Sequence, residues 1–254
     1  MAEDPARILV TGASSGIGAA LAELYAAPGC ALLLGGRNGA RLEAVAANCR
    51  ARGAAVETAL IDVTDRAATE AWIATADRAA PLDLVIANAG ISAGTGGGGE
   101  AAAQARAIFA TNLDGLLNTV LPALAVMLRR GHGQIALMSS LAAFRGFPGA
   151  PAYCASKAAA RIWGEALRGE VATAGVRVSV ICPGFVESPM TAVNDFPMPF
   201  LMSAERAARI IRRGLRRNRA RIAFPWPTYA AAWLVGLLPP VLTDPILARL
   251  PKKV

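Results

Sequence analysis

Short apolar runs recur along the first 224 residues, and Ala-rich segments of helical period separate them. The runs are residues 8–11, 31–34, 55–61, 82–87, 134–138 and 176–181, with a last one near 220–224. The helical patterns fall at roughly 17–27, 38–51, 65–79, 100–129, 151–173 and 203–218. Strands separated by helices of this length run parallel, because each crossover returns the chain to the same end of the sheet. Several of the runs, 8–11, 31–34 and 82–87 among them, are close to continuously apolar rather than alternating, which predicts helices on both faces. The expectation is an α/β fold: a doubly wound parallel sheet of about seven strands in one domain over residues 1–224. A short apolar helical tail over 225–254 follows it, in two pieces near 229–238 and 246–250 divided by Pro239 and Pro240.

Composition removes several chemistries. The single His, His132, lies between Gly131 and Gly133 in a turn-like setting. A His-rich metal site is excluded, no metal is expected, and a Ser-His-Asp triad could use only that residue. Cys30, Cys49, Cys154 and Cys182 form no CxxC and sit in mostly apolar runs. Reduced, buried thiols of a cytoplasmic protein are expected. The chain reaches a strand within a few residues of Met1, so no signal peptide is expected. The net charge of +8 is concentrated in Arg206, Arg209, Arg212, Arg213, Arg216, Arg217, Arg219 and Arg221. No aromatic residue interleaves there, so the pattern predicts a solvated helix face and no nucleic-acid partner. The uncharged stretch 222–243 is broken by Pro225, Pro227, Pro239 and Pro240. Its uninterrupted part, 228–238, is shorter than the about 20 residues a bilayer span needs.

Two local patterns point to chemistry. Thr11-Gly12-Ala13-Ser14-Ser15-Gly16-Ile17-Gly18 closes the first strand and opens the first helix. Glycines there permit a tight turn and the approach of a pyrophosphate to the helix N-terminus. The second strand ends Gly35-Gly36-Arg37-Asn38. An acid at this point would bind ribose hydroxyls, whereas a guanidinium suits a 2′-phosphate, so NADP(H) is expected over NAD(H). Tyr153 and Lys157 are four residues apart on one helix face. Lys157 is the only Lys before residue 252, which marks it for a role Arg cannot fill. An ammonium beside a phenol favours phenolate and makes a tuned proton donor and acceptor.

With these residues in view, the chain resembles the short-chain dehydrogenase/reductase family in its shorter single-domain branch. TGASSGIG at 11–18, Asn88-Ala89-Gly90, Asn112, Ser140 thirteen residues before Tyr153, Tyr153-Cys-Ala-Ser-Lys157 and Pro183-Gly184 match that family's motifs in order over about 6–224. The resemblance implies a Rossmann-type sheet. It implies that Tyr153 exchanges a proton with the substrate oxygen, that Ser140 orients that oxygen, and that Lys157 binds the nicotinamide ribose and lowers the Tyr153 pKa. Asn112 would hold a water linked to Lys157. The implied cofactor-binding set is Gly12, Ser14, Ser15, Gly16, Ile17, Gly18, Arg37, Asp62, Val63, Asn88, Ala89, Gly90, Tyr153, Lys157, Pro183, Gly184, Val186 and Ser188, with Ile181 beside them. Ser139 is expected to be only the last residue of its strand. Ser188 replaces the family's more frequent Thr. Ser15 replaces the Arg or Lys of many NADP-dependent relatives, which leaves phosphate recognition to Arg37.

The expected function is NADP(H)-dependent reduction of a small apolar ketone, or oxidation of the alcohol. A β-ketoacyl thioester reductase and a non-catalytic NADP-binding regulator are the alternatives. Phe144, Phe147 and the segment 196–202 are expected to line the substrate pocket, with Arg145 the one nearby cation. Gly94–Gly99 reads as a glycine-rich loop. Relatives pair through helices corresponding to 100–129 and 151–173, so a homodimer or homotetramer is expected. The tail could pack on its own subunit, complete a dimer, or touch a membrane surface through Trp226, Trp233, Lys252 and Lys253.

Overall fold

The computed structural model describes residues 4–92 and 100–248. The 94–99 loop, the end of the 246–250 helix, and Lys252 and Lys253 lie outside the described residues. Seven strands form one parallel sheet: β1 (Arg7–Thr11), β2 (Ala31–Gly36), β3 (Ala55–Leu60), β4 (Leu84–Ala87), β5 (Gly133–Met138), β6 (Val176–Pro183) and β7 (Arg221–Phe224). Their order across the sheet is β3-β2-β1-β4-β5-β6-β7. This is the Rossmann-type arrangement expected from the alternating pattern. The order reverses between β1 and β4, and a ligand crevice forms beyond the strand ends at such a point.

Period-two geometry explains the continuous apolar strands. In β1, Ile8 and Val10 join one core with Leu21, Leu42, Ile211 and Leu215. Leu9 points the other way, into a core with Ile73, Leu116, Val120 and Met127. Helices α1 (Gly16–Tyr25), α2 (Gly39–Ala51) and α8 (Ala204–Arg216) cover the first face. Helices α3 (Arg66–Ala79), α5 (Gly115–Arg130) and α6 (Pro151–Glu170) cover the second. Each fully buried aliphatic side chain there contributes about 1.5–3 kcal/mol relative to exposure.

The single helix expected over 100–129 is three pieces. Helix α4 (Ala102–Phe109) passes through a π turn (Ala110–Asp114) into α5. The turn carries Asn112, whose carboxamide is drawn to the backbone of Ile91, and such turns occur frequently at functional sites. Among the described residues, 102–130 is the one helical stretch long and apolar enough to cross a membrane, and half of its apolar window is buried within the protein. Sequence patterning does not show the one-turn helix α7 (Pro189–Ala192).

The tail folds into α9 (Trp226–Leu237) and α10 (Pro240–Leu247). Helix α10 begins at Pro240 rather than near 246, because the first helical turn tolerates Pro. Leu141, Val180 and Cys182 pack with Phe144, Ala223, Tyr229 and Ala232, which seats α9 against β6, β7 and the residues after β5. Its other side exposes Trp226, Trp233, Leu234 and Leu237. On α8 and just after it, Arg206, Arg209, Arg213, Arg217 and Arg219 are exposed, as the solvated-face reading expects. Arg212 instead donates to the Leu24 carbonyl (3.1 Å), and Arg221 binds Glu165 and the Tyr229 hydroxyl. All four thiols are free and buried.

Candidate active site

A cavity of about 1190 Å³ opens beyond the carboxyl ends of the strands. Single small ligands occupy sites of about 300–1,000 Å³, so this cavity has room for more than one. At one end lie Gly12, Ser14, Ser15, Gly16 and Ile17 of the turn after β1, with Arg37, Asp62 and Val63 beside them. Asn88, Ala89 and Gly90 occupy the floor, and Ser140, Tyr153 and Lys157 stand farther along with Pro183, Gly184, Val186 and Ser188.

The β1 turn is held by β4. Asn88 Nδ2 donates to the carbonyls of Thr11 (3.0 Å) and Gly12 (3.1 Å). The Thr11 hydroxyl accepts the N–H groups of Asn88 (3.1 Å) and Ala89 (3.2 Å). Gly12 has φ +66°, and a Cβ on Gly18 would overlap the Gly12 carbonyl. Ser15 caps α1 without a side-chain hydrogen bond, which leaves the opening N–H groups of α1 for an anion. This cradle fits the pyrophosphate of a dinucleotide. Gly18 itself stands behind the cavity wall and acts through the turn.

Arg37 and Asp62 face one another at 3.6 Å; Arg37 is largely exposed and Asp62 half-buried. Burial alone would raise the Asp62 carboxyl. The Thr64 N–H (3.0 Å), the Thr64 hydroxyl (2.9 Å) and the Arg37 guanidinium outweigh it and hold the carboxyl below its ordinary value. Asp62 is thus an acceptor already fixed by Thr64, while Arg37 keeps an exposed guanidinium.

Tyr153 rides on the first turn of α6. The residue preceding that helix is Ala150, which makes no side-chain cap. The Glu100 carboxylate takes that place from a distance, accepting the N–H of Ala152 (2.5 Å) and of Tyr153 (3.0 Å). One turn later, Lys157 Nζ donates to the Met138 carbonyl (3.1 Å) and sits 5.8 Å from the Tyr153 ring centre. A Cβ on Gly90 would come within 3.2 Å of that nitrogen. The Ser139 hydroxyl donates to the Lys157 carbonyl (2.7 Å), so it fastens α6 to the end of β5 and does more than end a strand. The Ser140 hydroxyl accepts the Ala142 N–H (3.1 Å) and lies 3.4 Å from the Pro183 carbonyl.

Burial pushes the Lys157 ammonium down to about 8. It also pushes the Tyr153 phenol above its ordinary value, and a hydrogen bond with Ser140 offsets part of that. The implied lowering of Tyr153 is therefore reversed in the protein alone. Desolvation disfavours phenolate and ammonium alike, and it is the largest cause of both shifts.

Other expected residues are placed differently. Ile181 is fully buried in the sheet core, away from the cavity. Asn112 also lies behind the wall. Its carboxamide bonds the Ile91 N–H (2.8 Å), the Ile91 carbonyl (2.9 Å) and Ser156 Oγ (3.1 Å). The residue for which a water contact is implied is thus a clamp between β4's exit and α6. The Ser188 hydroxyl caps α7 in a reciprocal pair with Thr191. Phe147, Phe196, Pro197 and Pro199 line the cavity. Phe144 packs instead against Tyr229 (5.5 Å between rings) and the guanidinium of Arg161 (4.7 Å). Phe200 and Leu201 are exposed, and Met202 is buried beside Val186. Sequence reading misses Thr228, Ala231, Ala232, Val235 and Leu247, which also line the cavity. The spacing 228, 231, 232, 235 on a predicted helix was the available signal.

Comparisons with known proteins identify relatives of this fold. The family model described as short chain dehydrogenase matches residues 6–196. An uncharacterised oxidoreductase of Myxococcus xanthus is 40% identical over 243 residues, which is 95% of this chain and 96% of that protein. A short-chain dehydrogenase from Sphingobium yanoikuyae, solved in complex with NADPH, superposes with a TM-score of 0.80 at 26% identity over 98% of this chain and 97% of that one. Levodione reductase gives a TM-score of 0.79 at 25% identity, over 89% of this chain and 98% of that one.

Proposed function

The chain belongs to the short-chain dehydrogenase family and is a nicotinamide-dependent oxidoreductase, and from that premise we propose that it interconverts an apolar ketone and its secondary alcohol with NADP(H). The observation that carries this reading is the convergence of Ser140, Tyr153 and Lys157 on one stretch of a largely apolar cavity whose other end carries Arg37. Residues 1–224 form the catalytic unit in this reading, and 225–254 its extension.

The nicotinamide, when bound, supplies or accepts the hydride exchanged with the carbonyl carbon. The protein handles the proton. In reduction the Tyr153 hydroxyl donates to the substrate oxygen, and in oxidation the phenolate takes the alcohol proton. Ser140 holds that oxygen by a hydrogen bond. Lys157, with one donor on Met138, would hold the nicotinamide ribose with its remaining N–H groups and would stabilise phenolate. Glu100, Ser139 and Asn112 position α6. The test is NADPH oxidation with a panel of uncharged ketones; a panel without turnover overturns the reading.

Arg37 is the proposed 2′-phosphate ligand, supported by the absence of an acid at the end of β2 and by the NADPH bound to the Sphingobium relative. A hydrogen bond to a charged group is worth about 1.5–3 kcal/mol. Arg37→Ala is therefore expected to lower kcat/KM for NADPH by about 10–100-fold and for NADH by less than about threefold. Wild-type preference for NADH contradicts the assignment.

A homo-oligomer is proposed as well. Phe109, Leu121, Leu128 and Ile162 expose apolar side chains on α4, α5 and α6, and such a surface suits burial against a second copy. Light scattering is expected to give twice or four times the chain mass, and Leu121→Glu to lower it. A monomeric wild type rejects this.

A further inference from the structure

We propose that the outer face of α9 and its junction with α10 dock on an anionic lipid surface, with the apolar side chains in the acyl boundary and the cations of the last residues drawn to the headgroups. This goes beyond the reaction proposed above and holds whatever the substrate. Thr228, Ala231, Ala232 and Val235 turn one face of α9 to the cavity. Trp226, Trp233 and Leu237 fall on the opposite side of a helix with 3.6 residues per turn, with Leu234 beside them, and all four are exposed. Leu238, Val241 and Leu242 continue the exposure through the junction. Trp226 is 71% exposed and Val241 76%, so neither has found a place in the core. Large apolar side chains exposed together in this way mark contact with another protein or with a membrane.

Charge favours the membrane. No charged residue occurs from 222 to 243. The acid that ends this stretch, Asp244, is already paired, accepting Arg145 Nη2 at 2.6 Å. Arg249, Lys252 and Lys253 follow with no further acidic side chain. A chain advances at most about 3.6 Å per residue, so connectivity alone keeps these cations within about 22 Å of Leu247 in α10. Apolar residues that include Trp, with cations within reach, are the composition of a helix that lies in the membrane interface, its apolar face about 5–10 Å deep. The net charge of +8 adds long-range attraction to an anionic surface. A second copy suits this face less well, because a twofold contact would bring two such sets of cations together with no acid to pair them.

The geometry is that of lying on a bilayer. Helix α9 (Trp226–Leu237) is about 18 Å long at 1.5 Å per residue, against a hydrocarbon core of about 30 Å. Bound in this way, the cavity stands behind α9, about one helix diameter (10–12 Å) from the lipid.

The test sediments the full chain with vesicles of phosphatidylcholine alone and of equal parts phosphatidylcholine and phosphatidylglycerol. Wild type is expected to bind the mixed vesicles at least about tenfold more tightly than the neutral ones, and added salt to narrow the gap. Leu237 and Val241 are exposed and belong to none of the core clusters, so charges there leave the fold intact. The double variant Leu237→Glu, Val241→Glu is expected to bind mixed vesicles at least about tenfold more weakly, with its unfolding midpoint unchanged. The double variant Lys252→Gln, Lys253→Gln is expected to lose about 10–30-fold on mixed vesicles and nothing on neutral ones. Failure of wild type to sediment with mixed vesicles overturns the proposal, and so does equal binding by wild type and both variants. Loss confined to the lysine variant shows a contact through charge alone and rejects docking of the apolar face. A lower mass for Leu237→Glu, Val241→Glu by light scattering, with no vesicle binding by wild type, assigns the face to a second copy and overturns the proposal as well.

Discussion

Tyr153→Phe is expected to lower kcat for ketone reduction by about 10²–10⁴-fold, the range for a lost general acid. The substitution removes one oxygen and keeps the ring. The N–H of residue 153 still binds Glu100, and the ring keeps its place 5.8 Å from Lys157 Nζ. The fold and the dinucleotide end, which depend on Thr11, Gly12 and Asn88, are untouched. NADPH Kd by fluorescence titration is expected within about twofold of wild type. Thermal stability is expected to hold, because Ser140 keeps the Ala142 N–H as a partner. Turnover within about threefold of wild type would show that another group supplies the proton.

The second large effect is at Lys157 and divides activity from stability. A buried ammonium held at about 8 against an ordinary 10.5 is protonated more readily in the unfolded chain than in the folded one. Between those two values the unfolded state binds the extra proton, so this group's contribution to stability rises with pH across the window. Below it, the full cost of burying the charge applies, on the order of 3 kcal/mol for a shift of this size. Without added nicotinamide, the unfolding free energy of Lys157→Met minus that of wild type is expected to be most favourable to the variant near pH 6–7. The difference is expected to shrink as pH rises from about 8 towards 10.5. Denaturant titrations at a series of pH values give it, and a difference independent of pH would show that the ammonium is not destabilised by burial. Activity goes the other way. Lys157→Met is expected to lose at least about a hundredfold in kcat/KM, because neither ribose contact nor phenolate stabilisation remains. Lys157→Arg is expected to fare as badly. A longer, planar guanidinium does not reproduce the compact buried ammonium that donates to the Met138 carbonyl. A destabilising residue kept at a site of chemistry is the usual trade between stability and activity.

The sheet is legible in the sequence because a parallel strand covered on both faces buries successive residues, and Ile8–Val10 of β1, Ala31–Leu34 of β2 and Leu84–Ala87 of β4 are unbroken apolar runs. The glycine turn and the spacing of Ser140, Tyr153 and Lys157 are local, so they too can be read directly. What escapes is set by partners distant in the chain. The π turn at 110–114 follows from Asn112 reaching Ile91, which no helical periodicity records. Glu100 caps α6 from 52 residues before Ala152. Phe144 and Ile181 are apolar residues near the catalytic motifs, and apolarity says that they are buried without saying against what. Arg145 reads as a free cation until Asp244, 99 residues later, is brought against it. The tail carries the same ambiguity in reverse: its face toward the cavity and its exposed face are equally apolar, so composition cannot separate them.

The seating of α9 against the segment after β5 has a mechanical consequence. In the proposed reading proton handling and dinucleotide recognition belong to the first 224 residues, and α9 and α10 meet that part through Gly236, Tyr229 and Asp244. A Cβ on Gly236 would overlap the Phe144 carbonyl, so the two backbones touch, and a shift of α9 is passed to the segment that carries Ser140.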